Sequence, residues 1–258
     1  MTIHSTALVD PGASVDPAAV IGPYAVIGEG VTIGAGTKVQ HHASVLGPAT
    51  LGRDNHLFPF SSLGTAPQDL GYRGEPTRLE VGDRNVFREF VTVNRGTTKG
   101  GGVTRIANDC FFMSYSHVAH DCDLGNNVIM ANSAALGGHI SIGDNAILGG
   151  LVAVHQFARI GRLSMIGGVS GVAKDVPPFM IASGERARLY SLNLVGLKRN
   201  GFSSEQITKL KKAYRLLFRS QLNLKEAMER VEKELPDAAE IEELLAFIRA
   251  SSRGICRQ

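Results

Sequence analysis

The stretch VDPAAVIGPYAVIGEGVTIGAGTKV, Val15 to Val39, places an aliphatic residue at every sixth position: Val15, Ile21, Ile27, Ile33 and Val39. The same register runs back to Ile3 and Val9 and forward through Val45, Leu51, Leu57 and Leu63. The residue after each aliphatic one is often glycine or another small residue, as in IGPYAV, IGEGVT and IGAGTK. A period of six fits neither an α-helix at 3.6 residues per turn nor a simple alternating strand. It fits a short strand followed by a corner, three of which close one coil of a prism-shaped parallel β-helix with the aliphatic residue pointing inward.

The register returns in phase at Val81, Phe87 and Val93. It resumes after a shift at Ile106, Phe112, Val118, Leu124, Met130, Leu136, Ile142, Leu148, Val154, Ile160, Ile166 and Val172. These 26 hexads make between eight and nine coils, with loops expected near 64–80 and 98–105. Loops that leave a rigid prism are candidate walls of a site. The register is expected to stop at Asp175-Val176-Pro177-Pro178, because paired prolines end regular hydrogen bonding.

Helical patterns follow. Ser203 and Gln206 have capping-box spacing, and Ile207, Leu210, Ala213, Tyr214, Leu217 and Phe218 fall on one helical arc. Lys209, Lys211, Lys212, Arg215 and Arg219 fall on the opposite one, and Ile241, Leu244, Leu245 and Ile248 form a second apolar stripe. The expected organisation is a mainly β, hexapeptide-repeat parallel β-helix over 1–185 and a small helical domain over 186–258.

Composition agrees with a repetitive β architecture: 30 glycines, 6% aromatic residues and no Trp in 258 residues point to thin stacked layers in place of a bulky aromatic core. Three cysteines without CxxC spacing give neither a disulfide framework nor a four-thiolate zinc site, which fits a reducing cytoplasm. Residues 1–12 lack the basic and apolar blocks of a cleaved signal, and no run approaches the ~20 apolar residues of a membrane span. Net charge is +3 but uneven: residues 1–185 hold 12 Lys+Arg against 15 Asp+Glu, and 186–258 hold 15 against 9. A basic tail attracts nucleic acid, anionic lipid or an acidic protein, and charge alone does not choose among them.

The chemistry gathers at HVAHDC, residues 117–122. With 18 residues per coil, the hexads starting at Val118, Leu136 and Val154 stack, so that His120, His139, His155 and Gln156 share one side of the prism. At the strand spacing of about 4.8 Å the three imidazoles line a groove roughly 10 Å long. Two chemistries suit such a cluster: a zinc ion held by three or four converging ligands, or one imidazole acting as general base. Cys122 falls at the fifth position of its hexad, where a small residue packs inside the coil.

QDLGYRGEPTRLEVGDRN (68–85), NRGTTKGGGVT (94–104), HVAHDC (117–122), VHQF (154–157), SGVAKDVPPF (170–179) and GLKRNGFSSEQI (196–207) together resemble the cytoplasmic UDP-N-acetylglucosamine O-acyltransferases. These enzymes begin lipid A synthesis by moving a 3-hydroxyacyl chain from acyl carrier protein to the sugar 3-hydroxyl. The resemblance runs essentially end to end and implies a left-handed coil and a homotrimer with sites between subunits. It implies no metal and no resident cofactor, since the acyl-phosphopantetheine arrives on the donor protein. By motif position His120 is the general base, Asp121 its support, and the Gly138 N–H the oxyanion donor. Gln68, Asp69, His117, His139 and Gln156 match positions that hold the sugar and pantetheine, and His155, Asn193 and Arg199 match nucleotide or phosphate contacts. Gly168 stands where the family measures acyl length and leaves the groove open, so a donor longer than ten carbons is expected. The acidic carrier protein gives the basic arc a partner through Lys211, Lys212 and Arg215, with no role for nucleic acid.

The chain departs from the family pattern at Gly71, where Lys is common, at Asn94 for His, at Val195 for Glu and at Asn200 for Arg. These changes keep open a 3-amino sugar nucleotide as acceptor. Outside this chemistry stand a zinc-dependent γ-type carbonic anhydrase and a non-catalytic trimeric scaffold.

Overall fold

The computed structural model describes residues 2–257. Two- to four-residue strands alternate with corners and stack into three parallel sheets, the faces of a triangular prism. The first face contains Val20–Ile21, the second Val26–Ile27 and the third Val31–Ile33, and the order then repeats. Pairing is in the register set by the 18-residue coil: Val118 lies on Leu136, and Leu136 on Val154. The six-residue period becomes a core because each hexad sends its first residue inward. Ile27, Leu57, Leu63, Leu124 and Leu136 are all buried. Burying one such side chain contributes about 1.5–3 kcal/mol, and truncating Leu57 to Ala costs about 2–5 kcal/mol because the stacked coils cannot close the gap. The fifth position is also inside, where Cys122 sits with Ala43 and Ala134.

The fourth position of a hexad turns the corner in the left-handed backbone region, even where the residue carries a bulky side chain: φ is +61° at Phe60, +61° at His139, +59° at Leu151 and +56° at Val169. That conformation costs a non-glycine residue about 1–2 kcal/mol. The coil above and below offsets the cost, since the corner N–H finds a carbonyl in the preceding coil, as His139 N does on His120 O (3.0 Å).

Both insertions are present, and both are shifted slightly from the expected bounds. The strands Ser62–Thr65, Arg78–Val81 and Val103–Ile106 extend to four residues, leaving loops at 66–77 and 95–102. The chain keeps pairing where a longer strand has a partner, as Arg78–Val81 does along Val103–Ile106. The stack also outlasts the prolines. Beyond Pro177-Pro178, Met180–Ser183 adds to the first face in parallel, and Arg188–Leu192 pairs with it antiparallel.

Four helices follow: α1 (Leu194–Arg199), α2 (Ser204–Phe218), α3 (Leu224–Glu234) and α4 (Ala239–Arg249). Ser203 and Gln206 close the expected capping box, and α3 opens on another made by Asn223 and Glu226. The apolar stripes meet, with Ile207, Leu210, Leu217, Val231, Ile241, Leu244, Leu245 and Ile248 buried. The bundle is tied to the third face by Arg162, which makes a bidentate pair with Glu243 (2.7 and 3.0 Å), and by Arg159 over the Phe247 ring (4.4 Å). Asp175 links the two parts as well, accepting from Arg159 N (2.9 Å) and Ser251 Oγ (2.7 Å). Among the described residues no helix is long and apolar enough to cross a membrane.

Candidate active site

His120 and Asp121 occupy the corner between the second and third faces. Adjacent residues usually diverge, but the left-handed conformation at Asp121 (φ +60°) turns its carboxylate back under the preceding imidazole. His120 Nδ1 and Asp121 Oδ2 are 2.8 Å apart. An ionised carboxylate only accepts, so Nδ1 carries the proton and Nε2 presents its lone pair away from Asp121. The carboxylate is itself held: Thr97 N donates to Oδ1 (2.8 Å) and Thr97 Oγ1 to Oδ2 (2.6 Å). The Asp121 N–H donates to Thr104 Oγ1 (2.8 Å). Only 1% of the Asp121 side chain and 12% of the His120 side chain remain exposed.

The second insertion makes this possible. It supplies Thr97 and crosses directly over the carboxylate at Gly100, where a Cβ would overlap the Asp121 oxygens. Gly138 is a comparable close approach, because a Cβ there would lie 2.5 Å from His120 Cε1. Like the third residue of many hexads, Gly138 has an N–H without an acceptor among the described residues. It therefore offers a donor beside the His120 ring.

His139 stands over the pair, edge-on to His120 with centroids 5.1 Å apart and stacked on Phe157 at 4.4 Å. Burial pushes its pKa below that of an ordinary histidine, the nearby Asp121 opposing and His120 adding to the shift. His117 lies one strand earlier, its Nδ1 2.7 Å from Thr92 Oγ1, and burial likewise lowers its pKa. Both imidazoles are thus favoured in the neutral form at pH 7. The ligand atoms of His120, Asp121 and His139 lie within 4.8 Å of one another, close enough to hold a metal. Ligation of His120 through Nδ1 would displace its proton from Asp121, whereas ligation through Nε2 would leave that bond in place. The Asp121 oxygens already accept three donors.

Asp69 reaches the same groove from the first insertion. Asn94 holds that loop through Thr65 Oγ1 (2.8 Å) and Ala66 O (3.0 Å), and Arg95 through Tyr72 OH (3.0 Å). Asn94 is buried, so its departure from histidine serves loop anchoring. The Gly71 N–H at 2.7 Å holds the Asp69 carboxyl below its usual range, and Lys99, His120 and His139 add to the effect. Gln68 is exposed at the rim.

His155 and Gln156 lie one coil above His139 and are exposed, with His155 Nδ1 3.2 Å from Arg253 Nη2. Asn193 and Arg199 make no hydrogen bond or ion pair with the histidine cluster. Asn193 caps α1 by accepting from Gly196 N (2.9 Å) and donates to Leu163 O (2.9 Å). Arg199 is an exposed residue in the last turn of α1. At Gly168 an added Cβ would press on the backbone of Gly150, its oxygen at 3.2 Å and nitrogen at 3.8 Å. On α2 two members of the basic arc are paired, Lys209 with Glu205 at 2.9 Å and Lys212 with Glu234 at 2.7 Å. Lys211 and Arg215 make no ion pair among the described residues and border a cavity of about 440 Å³ with Thr208 and Tyr214.

The comparisons with known proteins agree with this arrangement. A family model described as UDP N-acetylglucosamine O-acyltransferase, domain 2, matches residues 175–256. A relative from Anaeromyxobacter, an acyl-carrier-protein-dependent UDP-N-acetylglucosamine O-acyltransferase by name, is 51% identical over 257 residues, covering 100% of both chains. A protein of the same name from Thermodesulfovibrio yellowstonii is 54% identical over 99% of each. The chain belongs to the UDP-N-acetylglucosamine O-acyltransferases. Among solved structures of this family, LpxA from Acinetobacter baumannii superposes with a TM-score of 0.97 at 42% identity over 100% of both chains. The acyltransferase from Francisella novicida gives 0.95 at 37%, over 100% of this chain and 94% of that one. The fold is the left-handed parallel β-helix with a small C-terminal helical part.

Sequence reasoning missed several residues that this acyltransferase uses to build the site: Thr97, Thr104 and Gly100 around Asp121, Phe157 behind His139, and Arg253 beside His155. Only Phe157 had a usable signal, since it occupies the fourth position one coil above His139. Thr97 and Gly100 arrive through the second insertion, Thr104 on the strand Val103–Ile106 ahead of the resumed register, and Arg253 through the tail, where the hexad register assigns no position.

Proposed function

We propose that the chain transfers a 3-hydroxyacyl group from acyl carrier protein to the 3-hydroxyl of UDP-N-acetylglucosamine, the opening step of lipid A synthesis, in the cytoplasm and without a metal or resident cofactor. The observation that carries the reading is the His120–Asp121 pair, with the proton on Nδ1 and Nε2 free of any hydrogen bond among the described residues. In this mechanism His120 Nε2 takes the proton of the sugar 3-hydroxyl as that oxygen attacks the thioester carbonyl carbon. The new C–O bond forms, the carbonyl oxygen gains charge, and the Gly138 N–H donates to it. Collapse breaks the C–S bond, and His120 returns the proton to the departing pantetheine thiolate. Asp121 stabilises the imidazolium formed between these steps.

Asp69, His117, His139, Gln68 and Gln156 hold the sugar and pantetheine along the groove, and His155, Asn193 and Arg199 serve the nucleotide. Gly168 leaves room for an acyl chain longer than ten carbons. Lys211 and Arg215 receive the acidic carrier protein, with Lys212 contributing less because of its bond to Glu234.

Three copies are expected to close the groove. The second face presents small outward residues, Ser44, Ser62, Ala135, Ala153 and Gly171. Its other edge carries stacked, exposed aromatic rings, an apolar strip that an isolated prism leaves in water. The test is to incubate the protein with 3-hydroxyacyl carrier proteins of graded length and UDP-N-acetylglucosamine or its 3-amino analogue, identifying products by mass. The expected product is an alkali-labile ester on the 3-oxygen, formed fastest from donors longer than ten carbons. Product only from the amino analogue, or none, overturns the reading.

A further inference from the structure

The second insertion delivers one group that the mechanism has not used. Thr98–Gly100 form a single 3-10 turn, fixed at one end by the two bonds from Thr97 to Asp121 and at the other by the contact of Gly100 with the same carboxylate. Lys99 projects from this turn, exposed and without an ion pair or hydrogen bond among the described residues. Its ammonium occupies a particular place: a Cβ built on Gly71 would lie 3.2 Å from Lys99 Nζ and 3.2 Å from Asp69 Oδ1. The missing side chain at residue 71 is therefore the space into which Lys99 reaches, between the two loops and beside the carboxylate of Asp69.

We propose that Lys99 binds the acceptor sugar, donating to ring oxygens while Asp69 accepts from neighbouring hydroxyls, and that glycine at 71 is what admits it. The assignment rests on the function proposed above. A sugar hydroxyl both donates and accepts, so an ammonium and a carboxylate side by side match a polyol. A phosphate matches the pair poorly, since Asp69 repels it as strongly as Lys99 attracts it. The anchoring of the turn on Asp121 also sets the Lys99 backbone, though not its side chain, at a fixed offset from His120. A side chain at 71 would crowd the Lys99 ammonium, which would have to shift by a few tenths of an ångström at least.

The test compares wild type, Lys99→Ala, Gly71→Ala and the double variant Gly71→Lys with Lys99→Ala. Loss of a hydrogen bond to a charged donor predicts that Lys99→Ala raises the KM for UDP-N-acetylglucosamine about tenfold. The KM for acyl carrier protein and the calorimetric affinity for UDP alone stay within twofold. Gly71→Ala, which crowds Lys99, moves the same KM in the same direction. The double variant, which returns an ammonium to the same volume from the other loop, recovers most of the loss. An unchanged sugar-nucleotide KM in Lys99→Ala overturns the assignment. An equal loss of UDP affinity overturns it in favour of phosphate contact, and a loss confined to the carrier-protein KM overturns it in favour of the donor. Wild-type protein that makes no acyl product from UDP-N-acetylglucosamine overturns the proposed function itself, an outcome separate from these.

Discussion

The two edges that border the second face share a backbone and differ in chemistry. Along one, Tyr24, His42, Phe60, Phe90 and Tyr115 occupy successive fourth positions with φ between +56° and +65°. Their neighbouring ring centroids lie 4.9–5.2 Å apart, stacked from His42 to Tyr115 and tilted between Tyr24 and His42, and the end members Tyr24 and Tyr115 are 57% and 61% exposed. Along the other, Asp121, His139 and Phe157 occupy the same position with φ of +60°, +61° and +66°. There Asp121 is sealed beneath an inserted loop and the imidazoles face a groove. The repeat thus supplies a regular scaffold at both edges, and the insertion sets one of them apart by covering its carboxylate. An unmodified corner leaves a side chain in water, whereas a corner roofed by Thr97 and Gly100 holds a carboxylate in a fixed orientation beside an imidazole.

The comparison breaks most sharply at His120. His120→Gln is expected to lower kcat by about 10²- to 10⁴-fold with far-UV circular dichroism unchanged, because the side chain lies outside the hydrophobic core. Gly138→Ala ranks next. Its Cβ lies within the space of the His120 ring, so the imidazole shifts and kcat falls about 10²-fold with little change in thermal stability. Thr97→Val, which removes the 2.6 Å bond to Asp121 while the main-chain donor remains, costs kcat roughly tenfold. On the opposite edge Phe60→Asp leaves the base and its supports intact and acts on assembly. Light scattering is expected to show a trimer for wild type and smaller species for the variant, and a variant that stays trimeric removes the aromatic edge from the interface.

The smallest effect concerns pH. Burial lowers the pKa of His117 and His139, so the unfolded chain binds more protons than the folded one below the reference value of about 6.5. The stabilisation is present above that value and is lost as pH falls through the lowered pKa values. Melting temperature should therefore drop from pH 7 to pH 5, and His117→Gln should flatten the decline.

The prism was legible because a six-residue period with an inward aliphatic has one geometric solution, and Val118, Leu136 and Val154 stack as spacing requires. The clustering of His120 and His139 followed from the same arithmetic. What spacing left open was direction. Whether Asp121 turned toward His120 depended on the left-handed corner and on Thr97, which lies outside the register. Helix α3 escaped because its stripe is short, with Ala227 and Val231 its buried residues. The pairing of Lys212 was not legible because Glu234, its partner, comes from that helix.

In the function proposed, HVAHDC works as one supported base and not as a metal centre. Its most direct test is a single-turnover reaction of chelator-treated protein with 3-hydroxyacyl carrier protein and UDP-N-acetylglucosamine, read by mass, in wild type and His120→Gln. The account predicts full-rate ester formation by the wild type without added metal and almost none by the variant. Product that appears only after zinc is restored, or that forms equally well in His120→Gln, would contradict it.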